Sequence, residues 1–325
     1  MKKTAPTATV FTALVVLVCA VAALMLLAAS PAVGSTDVKL GAAFWLACAA
    51  VAIGAVYSVQ RVAALDGQIY GERFIGLLTA ALFGLWLVYF WQLLVVAFEV
   101  PRVILPPPSL ISQSLADNAP KLWGDFVQTV LKSVVLGWAL GCSLGFAVAV
   151  AIDRLPFFQR GLLPIASLTS AIPLVGVAPI AVMWFGFEWP SKAAVVVLMT
   201  FFPMLVSTLA GLKAAGKLEL ELMHSYAASY WRTLLALRLP AALPFMFGAL
   251  KVNATLALIG AIVAEYFGSP TQGIGFRIST EAGKMNMPLV WGSIVVAAVT
   301  GSLAYALLVQ LERKAAFWHP SVRGG

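Results

Sequence analysis

Apolar stretches of about 20 residues recur along this chain, at roughly 10–29, 40–59, 74–98, 128–152, 162–185, 193–212, 243–264 and 289–310. A helix rises about 1.5 Å per residue, so each stretch is long enough to cross a hydrocarbon core of about 30 Å. Inside lipid the backbone must satisfy its own hydrogen bonds, which makes a helix the form such a stretch takes. Composition agrees, with 62% of residues hydrophobic and 10% charged, against about 25% charged in a soluble domain. The expectation is an all-α polytopic membrane protein of about eight spans.

Only Lys132 and Lys251 place a charge within these limits, each near one end, where a long side chain reaches the interface. The net charge of +8 is spread singly between apolar stretches, so it forms no patch of the kind nucleic acid requires. Its distribution reads instead as topology, because cytoplasmic loops carry the excess of Lys and Arg. With the N-terminus cytoplasmic, inner segments hold 13 basic residues and outer segments hold 6: Lys39, Arg102, Lys121, Lys192, Arg277 and Lys284. Both termini are therefore expected in the cytoplasm. The first stretch, preceded by Lys2 and Lys3, is longer than the apolar region of a cleaved signal, about 7–15 residues, and reads as a retained span. Cys19, Cys48 and Cys142 lie in apolar stretches and suggest no disulfide framework. His224 and His319 are too far apart to begin a metal site.

The first two spans read as an extension, residues 1–73, before a six-span core, residues 74–325. Proline-rich Pro101–Ser109 breaks the chain between spans, and Ser109 is a candidate cap for a short surface helix. Gly137, Gly141 and Gly145 recur every four residues and expose bare backbone on one helix face, either for packing within the subunit or for contact between subunits. Pro164, Pro173 and Pro179 interrupt the fifth span, as a plain kink or as a break lining a pathway. Pro173 and Pro179, with Asn253 and Glu265, are the candidate pathway-lining or gate residues. Glu265 closes the seventh span, either shaping an outer gate or marking the helix end. The stretch Gly268–Pro288 is too polar and glycine-rich for a membrane helix.

The longest inner connection, residues 213–240, contains Lys217–Arg232, KLELELMHSYAASYWR. Leu218, Leu222, Tyr226 and Tyr230 recur by four and form an apolar stripe on one helix. Glu221, Ser225, Ala228 and Arg232 fall on a different face, and Leu239-Pro240 closes the connection. Such a helix either transmits movement of a cytoplasmic partner or lies inertly in the lipid interface.

These residues resemble the permease subunits of ATP-binding-cassette (ABC) importers of the nitrate, sulfonate and taurine group, with pyrimidine-precursor and riboflavin permeases as relatives. That family carries a Glu-Ala-Ala run, then Gly-Ala-Ser and a later Leu-Pro. Glu221, Ala228-Ser229 and Leu239-Pro240 match it. Leu222 and Met223 replace the two alanines and Ala227 replaces the glycine, a change expected to leave the helix intact because Ala is the better helix former. Further pieces extend the match from about Leu105 to Glu312: ILPPPS, Ile172-Pro173 to Pro179, Trp184-Phe185-Gly186, Leu258-Ile259-Gly260, Ala264-Glu265 and Gln272-Gly273-Ile274-Gly275. The resemblance implies a type I ABC importer permease (MetI-like) core in the bacterial inner membrane, with two added helices. It implies ATPase coupling through Glu221, Ser225, Ala227, Ala228, Ser229 and Arg232. The implied partners are ABC ATPase subunits, a periplasmic substrate-binding protein, a second permease subunit as a homodimer, and membrane lipid. ATP and magnesium would sit on the partner ATPase, with no cofactor in this chain.

An enzymatic reading finds little support. Gly211 to Lys217 mimics a phosphate loop, but Leu218 stands where Ser or Thr must hold magnesium. The alternative from another class is a secondary, ion-coupled transporter. Such carriers bury ionisable residues mid-membrane, and the mid-span positions here are uncharged. A non-transporting scaffold is the third reading, and the family-like loop speaks against it.

Overall fold

The computed structural model describes residues 6–28, 42–65, 71–155, 157, 173–268 and 271–318. Among them the chain is all-helical: α1 (Pro6–Ala28), α2 (Ala42–Ala63), α3 (Glu72–Ala97), α4 (Pro108–Asp117), α5 (Ala119–Arg154), α6 (Leu174–Phe185), α7 (Trp189–Leu212), α8 (Lys217–Ser225), α9 (Tyr230–Phe267), α10 (Ile274–Gly283) and α11 (Met287–Ala315). Six of these, α2, α3, α5, α7, α9 and α11, are long and apolar enough to cross a membrane. The described apolar stretches of α1 and α6, Thr12–Met25 and Gly176–Phe185, are shorter. The expected fifth span begins at 162, and its first part, with Pro164, lies outside the described residues.

Two helices extend well beyond the apolar limits read from sequence. α5 covers 119–154, and α9 runs from Tyr230 through Pro240 and Pro244 to Phe267. Leu239-Pro240 was expected to stop the connection, but the helix continues through it. The turns just before it, Leu234–Arg238, are π-helical, and Pro240 lies in the first turn of the regular helix that follows, where its missing N–H costs least. Ser109 likewise differs from expectation. It lies inside α4, which starts at Pro108, and its N–H donates to Gln92 Oε1 at 3.0 Å.

By packing the chain forms two units, Met1–Ser114 and Leu115–Gly325, so the third span and most of α4 group with the first two spans and not with α5 to α11. In the first unit Ala23, Val51, Ala55, Trp86 and Leu93 form the core. Two polar groups cross it in satisfied form: Trp86 Nε1 donates to Ser58 Oγ at 3.1 Å, and Tyr89 Oη donates to the Ala23 carbonyl at 2.9 Å.

The second unit is built around α7, flanked by α5 and α9. The glycine face of α5 lies directly on α7. A Cβ on Gly137 would fall 2.8 Å from the Ala193 carbonyl oxygen, one on Gly141 2.9 Å from that of Val197, and one on Gly145 2.5 Å from that of Phe201. These are backbone atoms that cannot rotate away, so the four-residue spacing serves close helix approach within this chain. Ala149, Ile152, Leu205 and Leu209 continue the same seam.

Candidate functional site

The 213–240 connection does not form the single helix that its apolar spacing suggests. α8 stops at Ser225, and Ala227 takes φ +51°. Ala227 N–H donates to the His224 carbonyl at 2.9 Å and Ala228 N–H to that of Met223 at 3.0 Å. This pair of bonds is a Schellman cap with Ala227 in its left-handed position, where glycine is favoured. The expectation that Ala in place of Gly keeps the helix intact is thereby corrected: the position ends a helix, so helix propensity is the wrong criterion. After the turn Ser229 caps α9, its Oγ accepting from Arg232 N–H at 3.4 Å. Glu221 and Arg232 consequently sit on different helices and share no helix face.

No side chain of α8 is buried. Leu218, Leu222 and Tyr226 are 78%, 54% and 75% exposed, whereas Tyr230, counted with them from the sequence, packs against the core formed by Leu212, Leu234 and Ala242. Glu221, Ser225, Ala227, Ser229 and Arg232 are exposed and Ala228 is partly buried.

At the ends of the helices that flank this exposed helix lies a clamp that sequence reasoning missed. Arg238 makes a two-pronged ion pair with Asp153, both bonds 2.7 Å, and its Nε donates to the Leu212 carbonyl at 3.0 Å. Tyr230 Oη donates to the same carboxylate at 2.9 Å, and the Arg154 guanidinium lies 4.9 Å from the Trp231 ring centre. The ends of α5 and α7 and the start of α9 are thus joined, and α8 hangs between two of them. Asp153 is one of 13 acidic residues in 325. That scarcity was the available signal, but nothing in the sequence says which arginine it meets.

At the far end of α9 lies a second polar cluster. Glu265 is 1% exposed; Thr129 Oγ1 donates to its carboxylate at 2.8 Å, and Gly275 N–H donates to Oε2 at 2.9 Å. Asp125 accepts from Gly273 N–H at 2.9 Å and from Arg277 Nε at 2.7 Å. Lys192, expected in an outer loop, is instead fully buried in the first turn of α7 and donates to the carbonyls of Phe187 and Gly268. On α10, burial favours the neutral Glu281 carboxyl, but bonds from Asn286 and Lys284 and the charges of Lys284 and Arg277 outweigh it and hold its pKa below the usual range.

The remaining candidates are scattered. Asn253 is sealed between α5 and α7: Nδ2 donates to the Thr200 carbonyl at 2.8 Å, and Oδ1 is unpartnered. Pro173 and Pro179 lie exposed at the start and inside of α6. Lys251, expected near the end of its span, lies in the interior of α9 because that helix extends to Tyr230, and its charge is answered within the unit by Glu312 at 2.7 Å.

Residues 141–316 match the family of binding-protein-dependent transport system inner membrane components. The chain belongs to that family. Among its relatives, a probable ABC transporter permease protein of Haemophilus influenzae is 32% identical over 65% of this chain and 85% of its own length. A formylaminopyrimidine transport permease of Halalkalibacterium halodurans is 30% identical over 72% and 93%. A riboflavin transport system permease of Chloroflexus aurantiacus is 29% identical over 72% and 88%. This family member is thus an ABC importer permease and a multi-pass inner-membrane protein, in keeping with six helices long enough to span.

Proposed function

We propose that this permease carries a small organic or anionic solute from a periplasmic binding protein into the cytoplasm, driven by a separate ATPase that docks on α8. The observation that carries the coupling part is the combination of α8, with no buried side chain, and the Asp153–Arg238 clamp that joins the helix ends flanking it. A partner pressing on α8 would push on α7 and α9 through short connections, and the clamp would pass the displacement to α5. Two such chains form a homodimer around one pathway in this reading, with both termini and α8 cytoplasmic and with α1 and α6 completing eight spans. Residues 1–73 remain an addition to the six-span machine, and ATP and magnesium belong to the ATPase.

The relatives' named solutes, riboflavin, a formylaminopyrimidine, sulfonates and taurine, support the solute class. Among the candidate gate residues, Glu265 is favoured by its place in a buried cluster at the end of α9.

The test replaces Glu221 with Lys, since one desolvated charge at an interface is worth several kcal/mol, about 2–5. Reconstituted with its ATPase and binding protein, the variant should insert and dimerise but lose substrate-stimulated hydrolysis. An α8 lying inertly on lipid instead predicts little change from Glu221→Lys and large losses from Leu222→Glu or Tyr226→Glu. Wild-type coupling in Glu221→Lys would move the ATPase contact elsewhere.

A further inference from the structure

The charges buried where α5, α7 and α9 end opposite α8 have no part in that coupling. Each crosses from one element to another. Lys192 of α7 bonds the Phe187 carbonyl, in the turn after α6, and the Gly268 carbonyl, just beyond α9. Glu265 of α9 accepts from Thr129 of α5 and from Gly275 N–H of α10. Thr129 Oγ1 in turn accepts from Ile274 N–H at 2.8 Å. Asp125 of α5 holds Gly273 N–H and Arg277.

The backbone makes this seat fit only as a whole. Gly273 has φ +134°, and a Cβ there would fall 2.5 Å from the Glu265 carboxyl carbon, while one on Gly275 would fall 2.1 Å from the Ile262 carbonyl oxygen. Thr129 lies in a π-helical stretch of α5, Val127–Val134, which changes the helical register locally and is a common feature of functional positions. A buried charge is tolerated while its partners stay in place and becomes costly when one is withdrawn. Lifting Gly268 and residues 271–283 away would strip Lys192 of the Gly268 carbonyl, Glu265 of Gly275 and Asp125 of Arg277 in the same movement. The segment is therefore either seated or released, with little to stabilise positions between.

We propose that Lys192, Glu265 and Asp125 are positioning residues of a latch that holds Gly268 and residues 271–283 on the periplasmic ends of α5, α7 and α9, and that docking of the binding protein releases it. The proposal rests on the importer reading above. A latch weakened in advance mimics docking, so hydrolysis runs without the binding protein and gains little when it arrives.

The experiment uses Lys192→Met and Glu265→Gln in the reconstituted permease–ATPase complex. Both should raise basal hydrolysis and lose stimulation by the liganded binding protein. Glu265→Asp, which keeps the charge, should recover part of the stimulation. A merely structural role would lower basal and stimulated rates in the same proportion, and that result, or wild-type behaviour, overturns the latch. A second readout does not need the ATPase. Amides of Ile274–Gly283 in the purified permease should exchange about fivefold faster or more in Glu265→Gln, with those of α8 unchanged. Unchanged exchange in α10 also overturns the proposal. Faster exchange together with a wild-type complex that no binding protein stimulates would count against the importer reading and leave the seating role standing.

Discussion

Ala227 sits in the left-handed position of the cap that ends α8, with φ +51°. An L-residue there costs about 1–2 kcal/mol relative to a relaxed conformation, and glycine avoids the clash. Ala227→Gly should therefore stabilise the turn by about 0.5–1 kcal/mol. Slower proteolysis within 217–240, or slower exchange of the Ala227 and Ala228 amides, would register it; faster cleavage would mean the turn is not in this conformation. Asp153 is the complementary case. Removing its counter-ion with Arg238→Ala leaves a nearly buried carboxylate with only the Tyr230 hydroxyl, a loss of about 3–5 kcal/mol. Asp153→Asn with Arg238→Gln should cost clearly less than Arg238→Ala alone. Thermal unfolding of the purified permease gives both numbers, and equal losses would argue that the pair is not coupled.

At the scale of elements, what a helix faces decides what its glycines are for. Gly145 on α5 and Gly248 on α9 are both helical glycines, and a sequence cannot rank them. A Cβ on Gly145 would meet the Phe201 carbonyl oxygen at 2.5 Å, whereas one on Gly248 meets nothing within 4 Å. Gly145→Ala should thus destabilise by about 1–3 kcal/mol through overpacking against α7. Gly248→Ala should be neutral or gain about 0.5–1 kcal/mol from lost backbone freedom in the unfolded chain. Melting temperatures of the two variants, measured in one detergent, should shift in opposite directions or differ clearly. A large loss in Gly248→Ala would instead point to a second copy packed on that face of α9. The loop helix teaches the same lesson from the other side. Its four-residue apolar spacing runs through a cap, and spacing alone has no means of registering one positive φ.

For the whole molecule the testable quantity is sidedness. With a cytoplasmic N-terminus and eight spans, the basic residues outside the apolar stretches would divide 13 to 6 between the two sides, and Ser225 lies exposed on the loop that this topology assigns to the cytoplasm. Ser225→Cys should react with an impermeant thiol reagent only after the membrane is opened; labelling in intact cells would invert the topology. Deletion of residues 1–73 should leave ATPase association intact in a chain that still inserts. Loss of association would show that the machine includes the first two helices, in line with the packing of α3 beside them.

Membership of the membrane class, the approximate places of the six long apolar helices among the described residues and the kind of machine were all legible in the amino-acid order. They depend on quantities that are local in sequence: the length of an apolar run, the sign of a connecting segment, the order of short motifs. The periodic glycines of α5 were legible as a bare face, but not as a face for α7. The tertiary structure alone decided that partner, the Asp153–Arg238 clamp, the break at Ala227 and the burial of Lys192 among carbonyls. A charged residue just outside an apolar stretch looks the same in sequence whether it meets water or two carbonyl groups. Which of these it meets depends on the neighbouring helices: Asp153 and Arg238 are 85 residues apart along the chain, and Thr129 and Glu265 are 136 apart.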